Sequence, residues 1–426
     1  MSQLIMFGQI GENRDRPRLF VESQRLIPLG FSVGQKVEVI PGAESVIIRV
    51  SENGTHTISK RRDAGSVRPV LDINSATALA PLVDHDEFRL NGRNGVFEVR
   101  PSVRSFYIRS QRNHSGPFKV MDIFSGGGTM SQAMHGNPVF EVTAGMEIEP
   151  KFADVWARLH PDATLIQGDI SSIYPEEVPD IDGIIAGIPC TDHSVAGRAK
   201  KGLVGEAADT GEFGGLYTHV LTFVRAKRPS FCVFENVTNY GNSRAGQTLR
   251  DTLVGMGYHW TTITLEPHSQ WGEPSERRRW VGVATLKPGF EIQVPGRQFD
   301  STLKSYLDAP DDALDKHDCE RIAGTIECLR AHNARHAAKG NGFSFSTITR
   351  ESVKCPTVIR SYHKINTGPF VETPFGLRLL RKTELERLLG CNIPVDHFAT
   401  ACEIVGQGVQ TRVFREIFNQ LGRFLS

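Results

Sequence analysis

The neighbours of Cys190 equip it better than any other thiol in the chain to act as a nucleophile. It stands in Gly187-Ile188-Pro189-Cys190-Thr191-Asp192-His193-Ser194. Proline fixes the backbone before it, and a Gly- and Lys-rich loop from Ala196 to Gly202, carrying Arg198, Lys200 and Lys201, follows it. Most free cysteines are small buried hydrophobes, and Cys232, inside an apolar run, reads that way. At Cys190 the positive loop favours a thiolate. A later apolar run breaks at Phe234-Glu235-Asn236-Val237, which brings a carboxyl to the same edge and supplies the nucleophile with an acid partner. Arg277-Arg278-Arg279 then runs into Trp280-Val281-Gly282-Val283. Guanidinium forks bind phosphate and carboxylate, and the alternation that follows turns one face of this run inward.

A second constellation suits a nucleoside. Ser125-Gly126-Gly127-Gly128 follows an apolar run and precedes a short helix, so backbone N–H groups can face a polar ligand with no Cβ between. About twenty residues on, a second run ends in Glu147-Ile148, where a carboxylate can accept from both ribose hydroxyls. A third is followed by Gly168-Asp169-Ile170, and Asp169 can accept from an adenine amino group. Ser131 stands where a dinucleotide fingerprint has its third glycine. The three features in strand order point to a nucleoside cofactor.

These residues need strands to carry them. Val120-Met121-Asp122-Ile123-Phe124, Val142 to Glu147, Thr164-Leu165-Ile166, Gly183-Ile184-Ile185-Ala186 and Phe231-Cys232-Val233-Phe234 are apolar without alternation, and helical stretches intervene. That pattern predicts an α/β, Rossmann-like, doubly wound and mostly parallel sheet covered on both faces. Val409, Val413, Ile417 and Leu421 form one helical stripe that docks back on this sheet. After Val283 the rhythm stops. Asp308 to Lys339 reads as helix, and Phe343-Ser344-Phe345 and Thr357-Val358-Ile359 as strands, so an inserted domain is expected. Residues 1–110 read as a β-rich domain with runs such as Lys36 to Ile40 and Ser45 to Val50. Within it, Arg18-Leu19-Phe20 through Gly34 resembles the start of swapped-hairpin DNA-binding domains, and either DNA contact or oligomerisation fits it.

Asp122-Ile123-Phe124-Ser125-Gly126-Gly127-Gly128, Pro189-Cys190, Glu235-Asn236-Val237, Pro274-Ser275-Glu276-Arg277-Arg278-Arg279 and Gly406-Gln407-Gly408-Val409 resemble, in order and spacing, the blocks of the cytosine-5 DNA methyltransferases. The resemblance spans Val120 to about Leu421. It implies S-adenosyl-L-methionine as cofactor, base flipping, and double-stranded DNA as substrate. Beside the β-rich domain (1–110), it implies a catalytic domain (117–283), a target-recognition domain (284–350) and a return segment (351–426). Phe124, Ser125, Gly126, Gly128, Glu147, Ile148, Asp169, Ile170, Pro189, Gln407 and Gly408 would line the cofactor pocket. Cys190 and Glu235 would be catalytic, with Arg277 and Arg279 holding the flipped nucleotide and Glu235. Ser194, Arg198, Lys200, Lys201, Asn236 and Arg278 would meet DNA. Thr191, His193, Ser275 and Gln407 depart from the usual residues and leave room for an altered target context or a modified methyl donor.

The chemistry explains the residues. Cytosine C5 is a poor nucleophile until a thiolate adds to C6 and turns the ring into an enamine. Glu235 would stabilise the charge that develops, and the stacked base must first leave the duplex.

Composition bounds the rest. The 426 residues carry a formal charge of +1, so any nucleic-acid surface must be a local patch. Seven scattered cysteines argue against a disulfide framework. The absence of a long apolar stretch or secretory leader points to a cytoplasmic protein with no membrane partner. His317, Cys319, Cys328, His332 and His336 cluster, yet their spacing departs from common zinc patterns, and no metal is expected. A methyltransferase acting on RNA and a catalytically silent DNA-binding protein on the same fold are the alternatives. A cognate restriction endonuclease is a candidate partner, and the oligomeric state is open.

Overall fold

The computed structural model describes residues 3–63, 66–105, 114–189, 215–338, 340 and 345–426. The chain divides into two units, residues 1–115 and 116–426.

The first unit contains β1 (Gln3–Gln9), β2 (Gly11–Glu12), β3 (Pro17–Glu22), β4 (Lys36–Pro41), β5 (Val46–Val50), β6 (His56–Thr57), β7 (Ser59–Asp63), β8 (Ser66–Asn74), β9 (Glu87–Arg93) and β10 (Val96–Pro101). They form two antiparallel sheets, ordered β1-β9-β10-β5-β4-β6 and β2-β3-β8-β7. Alternation sends Val46, Ile48, Phe88, Leu90, Phe97 and Val99 into one core with Leu19, Val21 and Ile73. Phe31 and Phe97 stack there with ring centroids 3.8 Å apart.

The second unit is built on seven strands. In chain order come β11 (Phe118–Ile123), β12 (Phe140–Glu147), α1 (Pro150–Leu159), β13 (Thr164–Gln167), β14 (Gly183–Gly187), α2 (Leu216–Lys227), β15 (Phe231–Asn236), α3 (Arg244–Gly255), β16 (His259–Leu265) and β17 (Arg279–Thr285). The sheet order is β13-β12-β11-β14-β15-β17-β16. β11 to β15 pair in parallel, and only β17 runs against its neighbours. The order reverses direction at β11, which opens a crevice beyond the carboxyl ends of β11 and β14.

Both sheet faces are buried, which explains the unbroken apolar runs. Met121, Ile123, Ile184, Ala186, Cys232 and Phe234 face α2 and α3. Val120, Ile185, Val233 and Val283 face the opposite way. The rest of the chain adds α4 (Asp312–Ala338), β18 (Thr347–Ile348), β19 (Phe370–Thr373), β20 (Gly376–Arg378), α5 (Lys382–Leu389), α6 (Phe398–Gln407) and α7 (Thr411–Leu425). In α7, Val413, Ile417 and Leu421 are buried against the second face, and Val409 is buried just ahead of them.

Two sequence readings change here. Thr357-Val358-Ile359 is irregular: the Val358 carbonyl accepts from Arg277 Nη1 at 3.2 Å rather than joining a ladder. Phe345 lies outside any strand, and Phe343 and Ser344 lie outside the described residues. The small sheet is β18-β19-β20, so a boundary at residue 350 falls inside it. The segment after β17 also stays on the catalytic core, with Phe290 packed beside α7 and Arg297 paired with Glu416 at 2.6 Å.

Candidate active site

The turn after β11 is a tight cradle. Phe124 has φ +57, Gly126 +51 and Gly128 +74, and a non-glycine residue held in that region stores strain of the kind found at ligand sites. Glu147, buried at the end of β12, accepts from the Gly126 N–H at 2.7 Å and from the Glu149 N–H at 2.9 Å. Burial pushes its carboxyl upward, opposed by those N–H groups. Ile148 beside it is 58% exposed, an apolar side chain left open next to a polar cradle. The Gly168 N–H donates to the Glu147 carbonyl at 3.1 Å, which ties the third strand's loop to the second. Asp169 is exposed, and its carboxylate, accepting from the Ser171 N–H at 2.9 Å, lies below the usual range. Ile170 is buried beneath it.

The return segment closes over this turn. A Cβ on Gly126 would lie 3.3 Å from Gln407 Nε2, and one on Gly408 would lie 2.7 Å from Thr129 Oγ1. Thr129 Oγ1 accepts from the Val409 N–H at 3.1 Å, and the Thr129 carbonyl accepts from Thr411 Oγ1 at 3.0 Å. Thr129 was not singled out in the sequence, although it directly follows the glycines.

Beneath the cradle lies a second group that sequence reasoning missed. Asp122 accepts from Trp156 Nε1 at 3.2 Å. Burial drives its carboxyl up to about 7, against the pull of Ser131 and Trp156. Ser131 Oγ lies 3.0 Å from His160 Nε2, and His160 Nδ1 lies 3.3 Å from His135 Nε2. Burial lowers His160 to about 3. The signal was available in Ser131, noted only as a departure from glycine.

The opposite wall carries Glu235, 6% exposed at the end of β15. Arg279 Nε contacts its Oε1 at 2.7 Å. Burial raises the carboxyl, and Arg279 and then Arg277 lower it. Gly187 is its register partner on β14, and a Cβ there would sit 3.6 Å from Glu235 Oε2. Glu235 thus borders the Gly187-Ile188-Pro189 strand exit that leads to Cys190.

Two of the expected site residues bond inward to backbone. Asn236 is 1% exposed: its Nδ2 donates to the Ile188 carbonyl at 3.1 Å and its Oδ1 accepts from the Val237 N–H at 2.8 Å. A side chain engaged at both ends inside the core holds the loop before Cys190. Arg277 is 3% exposed, and its Nε, Nη1 and Nη2 donate to the carbonyls of Gly408, Val358 and Gly406. It clamps the return segment while lending charge to Glu235. Arg278 is open, with a contact to Glu266 at 3.4 Å. Cys190, Ser194, Arg198, Lys200 and Lys201 lie outside the described residues. Cys232 is fully buried, and burial raises its thiol. No group of three or more metal-ligating side chains occurs among the described residues.

Residues 118–423 match the sequence profile described as C-5 cytosine-specific DNA methylase. The chain belongs to that family. It is a DNA cytosine-5 methyltransferase by the same evidence. Among similar proteins, the type II methyltransferase M.NlaX of Neisseria lactamica is 28% identical over 321 residues, which cover 72% of this chain and 97% of that one. M.MspI of a Moraxella species is 26% identical over 295 residues, 65% of this chain and 63% of that one. In fold, the methyltransferase resembles Entamoeba histolytica EhMeth at a TM-score of 0.59 and 16% identity, covering 73% of this chain and 100% of that one. It resembles S. pombe Dnmt2 at 0.56 and 17%, covering 73% and 99%. Among the described residues no helix is long and apolar enough to cross a membrane.

Proposed function

We propose that this methyltransferase moves a methyl group from S-adenosyl-L-methionine to C5 of a cytosine flipped out of double-stranded DNA, through a covalent bond between Cys190 and C6. The observation that carries the reading is the Glu235 carboxyl, buried, bound to Arg279 at 2.7 Å and set beside the strand exit that leads to Cys190. The thiolate of Cys190 adds to C6 and the electron pair moves toward C5. Glu235, its carboxyl biased toward the protonated form by burial, donates to N3 and withdraws the charge that addition places on the ring. C5 then takes the methyl group; loss of the C5 proton to water restores the double bond and expels the thiolate, and N3 returns its proton to Glu235.

The cradle fits the cofactor. Glu147 has the carboxylate for ribose hydroxyls, Ile148 has open apolar surface for an adenine ring, Asp169 has an exposed acceptor, and Gly126 and Gly128 leave room for the amino-acid end. When bound, the group supplies an electrophilic methyl. Cofactor contact is assigned to these residues with Phe124, Ser125, Ile170, Pro189, Gln407 and Gly408. DNA contact is assigned to Arg278 and to the loop bearing Ser194, Arg198, Lys200 and Lys201. Target choice is assigned to the α4 and β18–β20 region. The type II relatives support a cytoplasmic restriction-modification setting with a cognate endonuclease.

DNA with 5-fluorocytosine at the target tests the mechanism. Fluorine cannot leave C5 as a proton does, so enzyme, DNA and S-adenosyl-L-methionine together should give a complex stable to denaturing electrophoresis. Cys190→Ser should abolish it, Cys232→Ser should retain it, and Glu235→Gln should slow its formation on the order of a hundredfold. An adduct mapped to a peptide without Cys190 overturns the reading.

A further inference from the structure

The first unit is a duplication. The series β1-β2-β3, a 3-10 turn, β4-β5 recurs as β6-β7-β8, a 3-10 turn, β9-β10. Exchanging the two halves turns β1-β9-β10-β5-β4-β6 into its own reverse, and does the same to β2-β3-β8-β7. Register agrees with order. Val37 pairs with Val50 in one hairpin and Phe88 with Pro101 in the other, both displaced by 51 positions. Ile47 pairs with its own counterpart Glu98 at the same displacement, and in the smaller sheet Phe20 pairs with Asp72, displaced by 52. The buried turn residues Leu26 and Leu29, with Pro28 between, answer to Leu79 and Leu82, with Pro81 between. The edge strands are exchanged: β1 of the first half pairs with β9, and β6 of the second with β4. A local two-fold axis therefore crosses the six-stranded sheet between β5 and β10.

The outer face of that sheet carries four exposed arginines against Glu38, Glu87 and Glu98, a cationic excess. Arg49, Arg89, Arg93 and Arg100 are exposed on it, and Arg49 and Arg100 are two-fold counterparts. Arg89 lies directly opposite Arg100, a like-charge pair that disfavours the free sheet. Arg100 and Arg49 have carboxylates nearby in Glu98 and Glu38, at 2.5 and 2.8 Å, whereas Arg89 has no ion-pair partner among the described residues. Phe7, 66% exposed, stands opposite Arg89 on β1, with Ile5 beside it. Residues 1–115 hold sixteen Lys and Arg against twelve Asp and Glu, while the whole chain carries only +1.

We propose that this sheet face docks duplex DNA, independently of the target base, with the two-fold axis of the duplicated unit set on a dyad of the duplex. The two-fold counterparts Arg49 and Arg100 meet phosphates on the two strands, Arg89, whose counterpart is Glu38, adds a contact on one side, and Phe7 covers sugar surface. Two-fold proteins meet duplex DNA with their axes aligned, and phosphate contacts supply affinity that carries no sequence information. The choice of DNA among anionic polymers rests on the function proposed above.

The experiment uses the full chain and a duplex lacking any methylation target, with affinity followed against salt. Arg89→Gln/Arg100→Gln should lower the slope of log affinity against log salt by about 2, at about 0.9 per phosphate. Arg89→Lys/Arg100→Lys should keep it, and Arg18→Gln, on the other sheet, should leave it unchanged. An unchanged slope in the glutamine variant overturns the proposal, as does an equal loss from Arg18→Gln, from the lysine variant, or on single-stranded RNA alone. If the glutamine variant keeps its slope while the enzyme methylates its target, this inference falls and the proposed function stands. If the slope drops but no DNA is ever methylated, the reverse holds.

Discussion

Asn236 and Glu235 are adjacent on one strand and do different work. Glu235 faces the cleft, while Asn236 reaches back to the Ile188 carbonyl, two residues before Cys190. A positioning side chain changes turnover more than ligand affinity. Asn236→Ala should leave S-adenosyl-L-methionine affinity within about twofold and lower single-turnover methylation at least about tenfold. Equal loss in both would make the residue merely structural. Under the cradle, His160 titrates below the ordinary histidine value of 6.5, at about 3. The unfolded chain therefore takes up that proton first. The stability His160 contributes is complete above about pH 6.5 and is lost as pH falls toward about 3. Asp122, raised to about 7, acts with the opposite sign, its contribution being lost as pH rises from about 4 to about 7. His160→Gln should flatten the acid limb of urea midpoints between pH 6.5 and 3. A limb parallel to the parent's contradicts the assignment.

At the scale of elements, the helix α4 is fixed at its start by charge. Asp315, 4% exposed, meets Arg378 Nε at 2.9 Å and Arg381 Nη2 at 2.8 Å, and Arg378 is also bound by Glu384. Asp318 meets Arg381, and Asp308 bonds Arg387. Removing one member leaves buried guanidinium charge behind, so Asp315→Ala should cost on the order of 3–5 kcal/mol, seen as a fall in the calorimetric midpoint of the second unit. A shift under about 1 kcal/mol would mean that the network is solvated. The helix itself was legible from its length, but its anchor was not, because Asp315 lies 63 positions from Arg378. The strands β18 and β20, two and three residues long, are too short to show alternation. Thr357-Val358-Ile359 has strand composition, yet tertiary demand from Arg277 takes the Val358 carbonyl.

For the whole molecule, the parallel sheet was readable because burial on both faces leaves unbroken apolar runs, and the glycine turn with its neighbouring strand-end acids because they keep their order. The carbonyl partners of Arg277 and Asn236 were not, since a polar residue type does not reveal which backbone group it will meet. The duplication escaped as well: Leu26-Ile27-Pro28-Leu29 and Leu79-Ala80-Pro81-Leu82 are its clearest sequence trace, and register rather than identity exposes the rest. The central claim is that the chain marks C5 of cytosine in DNA. Bisulfite sequencing of host DNA after expression measures base, position and context together. Protected cytosines should appear at one recurring context with the parent chain and vanish with Cys190→Ser. Full conversion with the parent chain, or protection that survives Cys190→Ser, would contradict the account.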